Sequence, residues 1–347
     1  MNMDMELFRQ ILEMDSTTGK ERGLAEWLLK HLEAPSVQAM EVGDGTLNLL
    51  LQWGTPRVVF CTHMDTVPPY IPPVFPEEML SRIKGRGACD AKGQIFAMYT
   101  ACKRLEAEGF TDFGLLLLSG EETGSWGAKA FAKTDFRAPY LIVGEPTENK
   151  MVSASKGTKS YDLTFRGEAF HSGYPQYGVS AIDLFNEFYN QLKAKDFGTD
   201  PELGETTWNV GLLRSDNPQN ILSPELTCRL YFRTTFVSHQ AVQDWMRGWS
   251  EGGSFASASL PSSDPRLSVK PNGAGDAPSH YFTLPGFECG PVAFGSDAPH
   301  LTNFTHKAIC GPGTIRVAHR DDEHVLVSDL ETAVEQYIQM FKVIRGS

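Results

Sequence analysis

The stretch Arg57-Val58-Val59-Phe60-Cys61-Thr62-His63-Met64-Asp65-Thr66-Val67-Pro68 decides how the chain is read. Its first part, Arg57 to Cys61, is a short apolar run of the kind a buried parallel strand requires. His63 stands at the end of that strand and Asp65 follows two residues later. An imidazole with a carboxylate at that spacing can ligate a metal through one ring nitrogen while the other is held in place. Alone, His-x-Asp arises often by chance, and a lone histidine is more often a hydrogen-bonded packing residue. Its weight comes from what surrounds it.

Two more apolar runs end in the same way. Leu115-Leu116-Leu117-Leu118-Ser119 leads into Gly120-Glu121-Glu122, and Tyr140-Leu141-Ile142-Val143 into Gly144-Glu145-Pro146-Thr147. Leu47 to Leu51 reads as a further strand. Leu7, Ile11 and Leu12, then Leu24, Trp27, Leu28 and Leu32, give two early helices their apolar stripes. The glycine-punctuated turn Gly85-Arg86-Gly87-Ala88-Cys89-Asp90-Ala91-Lys92-Gly93 opens a helix over 94–108 that Gly109 ends. Another helix is expected over 125–133. Strands alternating with helices imply parallel crossovers. Open α/β sheets place ligands just past the carboxyl ends of their strands, where His63, Glu122 and Glu145 fall. The proline-crowded segment 68–76 is expected to run over the surface near His63.

Around Lys156-Gly157 the pattern changes. Tyr161, Leu163 and Phe165 alternate with polar residues, as do Leu226, Cys228, Leu230 and Phe232. With helices over 179–193 and 240–250 and further strands over 207–213 and 255–260, the order is β-α-β-β-α-β, that of a ferredoxin-like module. The expectation is an α/β first domain over 1–156 and 267–347, with a mixed, largely parallel sheet. A separate α+β domain over 157–266 is inserted into it. The last helix is marked by a capping box, Ser328 with Glu331, and by a face of Leu330, Val334, Tyr337, Ile338 and Phe341.

Composition sets bounds. A chain of 347 residues is long for one core, and two domains are the better expectation. The formal net charge of -12 argues against nucleic acid or an anionic membrane surface as partner. The six cysteines include no C-x-x-C pair, and several lie in apolar runs, so they read as buried free thiols. No run is long enough to span a membrane. The acidic start, Met1-Asn2-Met3-Asp4-Met5-Glu6, lacks a signal peptide's basic and apolar regions, which makes a cytoplasmic enzyme the default.

His63, Asp90, Glu122, Glu145 and His319 offer imidazole nitrogen or carboxylate oxygen and no thiolate. That donor set suits a catalytic pair of divalent ions, zinc first and cobalt second. Two such ions ~3.5–4 Å apart share a bridging carboxylate and a water. Glu121, beside a ligand and not needed as one, is the natural proton carrier. Taken singly, each has a plainer reading: Glu121-Glu122 a solvated acidic pair, Asp90 a turn former, Glu145 a loop end.

Six blocks, in order, carry a resemblance over nearly the whole chain. They are Thr62 to Pro68, Gly85 to Gly93, Ser119-Gly120-Glu121-Glu122-Thr123-Gly124, Val143 to Thr147, Ala169-Phe170-His171-Ser172-Gly173 and Ala318-His319-Arg320-Asp321-Asp322-Glu323. In them the chain resembles the di-zinc aminoacylase/carboxypeptidase family, which includes acetylornithine deacetylase, succinyl-diaminopimelate desuccinylase, aminoacylase and glutamate carboxypeptidase. The resemblance implies that His63 and Glu145 bind a first metal, Glu122 and His319 a second, and that Asp90 bridges both. It implies that Asp65 fixes the His63 tautomer, that Glu121 is general base and then acid, and that His171 stabilises the oxyanion. Asn220 matches a family asparagine before a turn, here Ile221-Leu222-Ser223-Pro224. Arg233 matches the arginine that grips the substrate's α-carboxylate, and Gly295-Ser296-Asp297 resembles a loop that contacts the substrate backbone. The inserted domain is then a lid and the site of homodimerisation, with His171 serving its own chain or reaching a neighbouring subunit. His300 and His324 receive no role.

The expected activity is metal-dependent hydrolysis of an amide. Gly311-Pro312-Gly313 with the block ending at Glu323 most resembles acetylornithine deacetylases, so an N-acyl amino acid is the first expected substrate. A dipeptidase or carboxypeptidase on the same scaffold is the alternative, and a non-catalytic binding protein the remote one.

Overall fold

The computed structural model describes residues 3–75, 82–256 and 265–346. The chain divides into two compact units. One comprises Met1–Ser153, Tyr281–Gly290 and Ser296–Ser347, the other Ala154–His280 and Pro291–Gly295.

The first unit is built on a six-stranded sheet, in the order Ser36–Val42, Thr46–Trp53, Phe113–Leu118, Val58–His63, Ala138–Val143, Phe304–Ile309. Every residue of Val58–His63 and of Phe113–Leu118 is buried, which is why their sequences are unbroken apolar runs with no alternation. These two strands run parallel with His63 opposite Leu118. On its other side Val58–His63 runs parallel to Ala138–Val143 with Cys61 opposite Val143. Three carboxyl ends therefore come out together at one edge of the sheet. The first two strands are antiparallel, so the sheet is mixed. Ser36–Val42 escapes the sequence reading because its residues are mostly exposed and carry no apolar run.

Helices Lys92–Ala107 and Val327–Gly346 belong to the same core. Phe341 meets Phe113 edge-on at 5.6 Å, and Tyr337 meets Phe60 at 5.7 Å while its hydroxyl donates to the Cys310 carbonyl at 2.9 Å. The final helix starts at Val327, directly after the strand His324–Leu326. Ser328 thus lies inside the first turn, and the capping box expected from Ser328 and Glu331 is not the helix's start. The expected apolar face is present: Leu330, Val334, Tyr337, Ile338 and Phe341 are all buried.

The second unit holds a four-stranded antiparallel sheet in the order Thr207–Arg214, Glu225–Thr234, Gly157–Arg166, Leu267–Pro271. Helices Ala181–Ala194 and His239–Gly252 bury Leu184, Phe188, Val242 and Met246 with Phe165, Leu230 and Phe232. The order of elements is β-α-β-β-α-β. The strand expected over 255–260 falls largely outside the described residues. The fourth strand is Leu267–Pro271, which pairs with Gly157–Arg166 and places Leu267 in the second core. The 266/267 boundary drawn from sequence therefore cuts ahead of a strand that belongs to this unit, which continues to His280.

The six cysteines form no disulfide; Cys61, Cys89, Cys102, Cys228 and Cys310 are buried and Cys289 is exposed. Among the described residues no helix is long and apolar enough to cross a membrane.

Leu117 is fully buried in Phe113–Leu118 and lies opposite Thr62. Leu117→Ala should lower the unfolding free energy by about 2–5 kcal/mol through lost burial and the cavity left behind. Urea unfolding followed by far-ultraviolet circular dichroism measures this.

Candidate metal centre

The site forms where the three parallel strands end. His63 is the last residue of Val58–His63, and its Nδ1 donates to the main-chain carbonyl of Asp65 at 2.9 Å. A carbonyl can only accept, so Nδ1 carries a proton and Nε2 is the nitrogen left to face the site. That Nε2 faces Asp90 Oδ1 at 3.1 Å. The other carboxylate oxygen, Asp90 Oδ2, faces His319 Nε2 at 3.3 Å. One carboxylate thus presents an oxygen to each of two imidazoles. His319 Nε2 also lies 3.0 Å from Glu122 Oε1. One ligand atom from each of His63, Asp90 and Glu122 lies within 4.8 Å of the others, a grouping able to hold a metal ion.

Asp65 meets the Nδ1 side of His63 through two of its groups. Its carbonyl, not its carboxylate, is the closer partner of His63, whose Nδ1 stands 3.5 Å from Oδ1. The carboxylate is committed elsewhere: Oδ1 accepts the Glu121 amide at 3.0 Å, and Oδ2 accepts the Glu122 amide at 3.2 Å and the Thr18 hydroxyl at 3.0 Å. Asp65 therefore holds both the histidine and the acidic turn.

Glu145 follows Ala138–Val143, which the neighbouring strand grips through the Gly144 amide to the Cys61 carbonyl (2.8 Å) and the Thr62 hydroxyl to the Gly144 carbonyl (3.1 Å). Glu145 is buried and its Oε1 has no hydrogen-bond partner. Asp297, also buried, leaves its Oδ1 without one. His319 adopts a backbone φ of 65°, in the left-handed region a β-carbon disfavours. Such strain persists where the surroundings hold it, often at functional sites.

The electrostatics follow from crowding. Burial pushes the Glu121 and Glu145 carboxyls well above the ordinary value, and neighbouring acids add to it. Burial also raises Glu122, and raises Asp297 to about 7. Burial would raise Asp90 too, but the His319 and His63 rings outweigh it and hold that carboxyl well below the usual range. His319 is raised to about 10 by Asp90 and Glu122. Acids held in one dry place, with buried oxygens left unpaired, form a field that cations would satisfy. The donor set of carboxylates and imidazoles, without a thiolate, suits divalent zinc or cobalt.

Residues 59–342 match the family described as peptidase family M20/M25/M40. The chain belongs to that family. As an M20 peptidase it is a hydrolase of amide bonds. A probable carboxypeptidase of Ajellomyces capsulatus is 30% identical over 376 residues, covering 97% of this chain and 85% of that protein. A tripeptidase from Staphylococcus aureus has the same fold, with a TM-score of 0.78 at 17% identity over 99% of this chain and 98% of its own. A Bacillus subtilis protein described as a dinuclear metal-binding peptidase of the M20 family superposes with a TM-score of 0.67 at 9% identity, covering 96% and 95%.

The other expected site residues are distributed as follows. Ser296 is buried in the first unit, where its hydroxyl accepts the Ala298 amide at 3.3 Å. His171, Asn220, Arg233 and Gly295 belong to the second unit. There the Ser172 amide donates to the Asn220 carbonyl at 2.9 Å, and exposed His171 accepts the Gly173 amide on Nδ1 at 3.0 Å. Arg233 lies over the Tyr231 ring at 5.1 Å, and a β-carbon at Gly295 would sit 4.0 Å from its Nη1. His324 donates from Nδ1 to the Asp322 carbonyl at 2.7 Å and pairs across to Lys84, consistent with a packing role. Sequence reasoning missed the parts played by Thr18 and Asp297. Thr18 carries no motif, and the buried, unpaired state of Asp297 shows only in three dimensions.

Asp65→Ala should leave the half-buried Glu121 and Glu122 amides without this partner. A destabilisation of about 1–3 kcal/mol is expected from these lost partners, read from denaturant midpoints. Asp65→Asn, which keeps one acceptor oxygen, should lose less.

Proposed function

We propose that this M20 peptidase releases an amino acid with a free α-carboxylate from a short peptide, as a dipeptidase or carboxypeptidase does. The observation that carries the reading is the largely buried cluster of His63, Asp90 and Glu122 beside the ends of parallel strands, with Asp90 facing two imidazoles. The name of the Ajellomyces relative supports the carboxypeptidase side, and that of the tripeptidase a short-peptide substrate. A second reading, hydrolysis of an N-acyl amino acid such as N-acetylornithine, is favoured by Gly311-Pro312-Gly313 and the block ending at Glu323. Both substrates join an amide to a free carboxylate.

His63 and Glu145 would hold one divalent ion and Glu122 and His319 another, with Asp90 between them; the dinuclear description of the Bacillus protein supports a pair. When bound, the ions supply Lewis acidity and bring a water near neutral ionisation. Glu121 then takes a proton from the attacking water and returns it to the nitrogen of the leaving amine. Burial and neighbouring acids raise its carboxyl well above the ordinary value, and two bound cations would draw it back down, toward the range where it can do both. Asp65 keeps this acid in register through the Glu121 amide. In this reading Arg233 would grip the α-carboxylate with its planar guanidinium, and His171 would steady the oxyanion.

A panel of dipeptides, tripeptides and N-acetyl amino acids, assayed with zinc or cobalt added, tests the substrate reading. Faster turnover of peptides supports the first reading, and turnover of N-acetyl amino acids alone the second. Glu121→Gln should bind as much metal as the parent while kcat falls ~10²–10⁴-fold, the usual contribution of a general base. Activity within a few-fold of the parent overturns that role. Arg233→Ala should raise KM for free-acid substrates and leave KM for their C-terminal amides nearly unchanged. Equal effects on both would make Arg233 a surface residue.

A further inference from the structure

Glu323 is buried and lies four residues beyond His319. One of its oxygens, Oε1, accepts three successive-turn amides: Gly87 at 2.9 Å, Cys89 at 3.1 Å and Asp90 at 3.1 Å. Its other oxygen, Oε2, accepts from Arg86 Nη1 at 2.5 Å, and the Arg86 side chain is equally buried. Arg86 goes on to donate to the Pro69 and Arg320 carbonyls, each at 3.2 Å. The Glu323 carbonyl accepts the Gly85 amide at 3.0 Å. One acid–guanidinium pair thereby ties together the loop after Val58–His63, the turn that carries Asp90 and the loop that carries His319.

We infer that Glu323 is the positioning residue of Asp90, setting the turn 87–90 so that the two Asp90 oxygens stay aimed at His63 and His319. Arg86 is its counter-ion. Three amides converging on one carboxylate oxygen fix the Asp90 backbone from the amide side. The side chain then has only its own rotamers left to choose from. A buried pair of this kind holds geometry more than it adds stability, because desolvation offsets much of its attraction. Groups that orient a metal ligand typically change affinity or activity ~10–100-fold when removed. The inference rests on the two-metal reading of the site, though its first arm below does not.

Three full-length variants test it: Glu323→Ala, Glu323→Gln and Glu323→Asp. In metal-free protein, hydrogen–deuterium exchange of peptides spanning 87–90 should quicken in Glu323→Ala and Glu323→Asp and stay near the parent in Glu323→Gln, whose amide oxygen can still accept. Cobalt titration should then show ~10–100-fold weaker binding and an altered visible absorption band in Glu323→Ala, with recovery in Glu323→Gln. In activity assays kcat should fall while KM holds. If Glu323→Ala does not fold, Glu323→Gln against Glu323→Asp decides: a parent-like Gln variant beside a weakened Asp variant supports the inference, and two parent-like variants overturn it. Parent-like exchange, cobalt affinity and spectrum in Glu323→Ala also overturn it. A parent protein that binds no cobalt refutes the two-metal reading on its own, while the exchange arm still judges the positioning of Asp90.

Discussion

Gathering many carboxylates in one water-poor place is the constraint around which the first unit is organised. Asp65, Asp90, Glu145 and Asp297 are all buried, and Glu121 and Glu122 lie beside them. Like charges this close oppose each other's ionisation, and burial opposes it further. The chain meets the constraint in three ways. Asp65 is satisfied by backbone amides and a hydroxyl. Asp90 is satisfied by two imidazoles. Glu145 keeps an oxygen unpaired. The first acid is structural, the second shared, and the third free to take a ligand.

The sheet makes the crowding possible. Parallel pairing aligns the carboxyl ends of neighbouring strands, so residues far apart in sequence come together without long loops. His63 opposite Leu118 puts the Glu121-Glu122 turn within reach of Asp65. Cys61 opposite Val143 does the same for Glu145. An antiparallel sheet would send alternate strand ends away from each other. The site's precision thus depends on the packing of the strands behind it, which are fully buried and leave little room to adjust.

Much of this was legible before the structure because it follows from local rules. Buried strands are apolar runs, and Val58–Phe60, Leu115–Leu118 and Leu141–Val143 stand out as such. The acidic turns follow those runs directly, so their place at strand ends needed no long-range information. What failed has equally specific causes. Ser36–Val42 is an edge strand with an exposed surface and no apolar signature. The Ser328 cap looked sound locally, but a preceding strand delivers the chain straight into the helix at Val327. Leu267–Pro271 is too short to announce itself and was separated from the sheet it completes. The contact of the Asp65 carbonyl with His63, closer than that of its carboxylate, carries no side-chain signature at all.

The same logic explains why the family is easier to read than the substrate. His63, Glu122 and Glu145 lie at or just past the buried strand ends of one unit, where type and spacing are legible from short apolar runs. Residues expected to hold the oxyanion or the substrate sit on other supports: His171 in a short exposed turn, Asn220 before Ile221-Leu222-Ser223-Pro224, and Arg233 near the end of a half-buried strand. Such positions bear little packing constraint, so they can change while the fold and the acids remain. An arginine that reads a carboxylate serves a peptide and an acylated amino acid equally well, since both present the same group. What separates the two substrates is the part on the other side of the amide. None of the residues expected from sequence meets that part, and for that reason the family match narrows the reaction to amide hydrolysis further than it narrows what is cleaved.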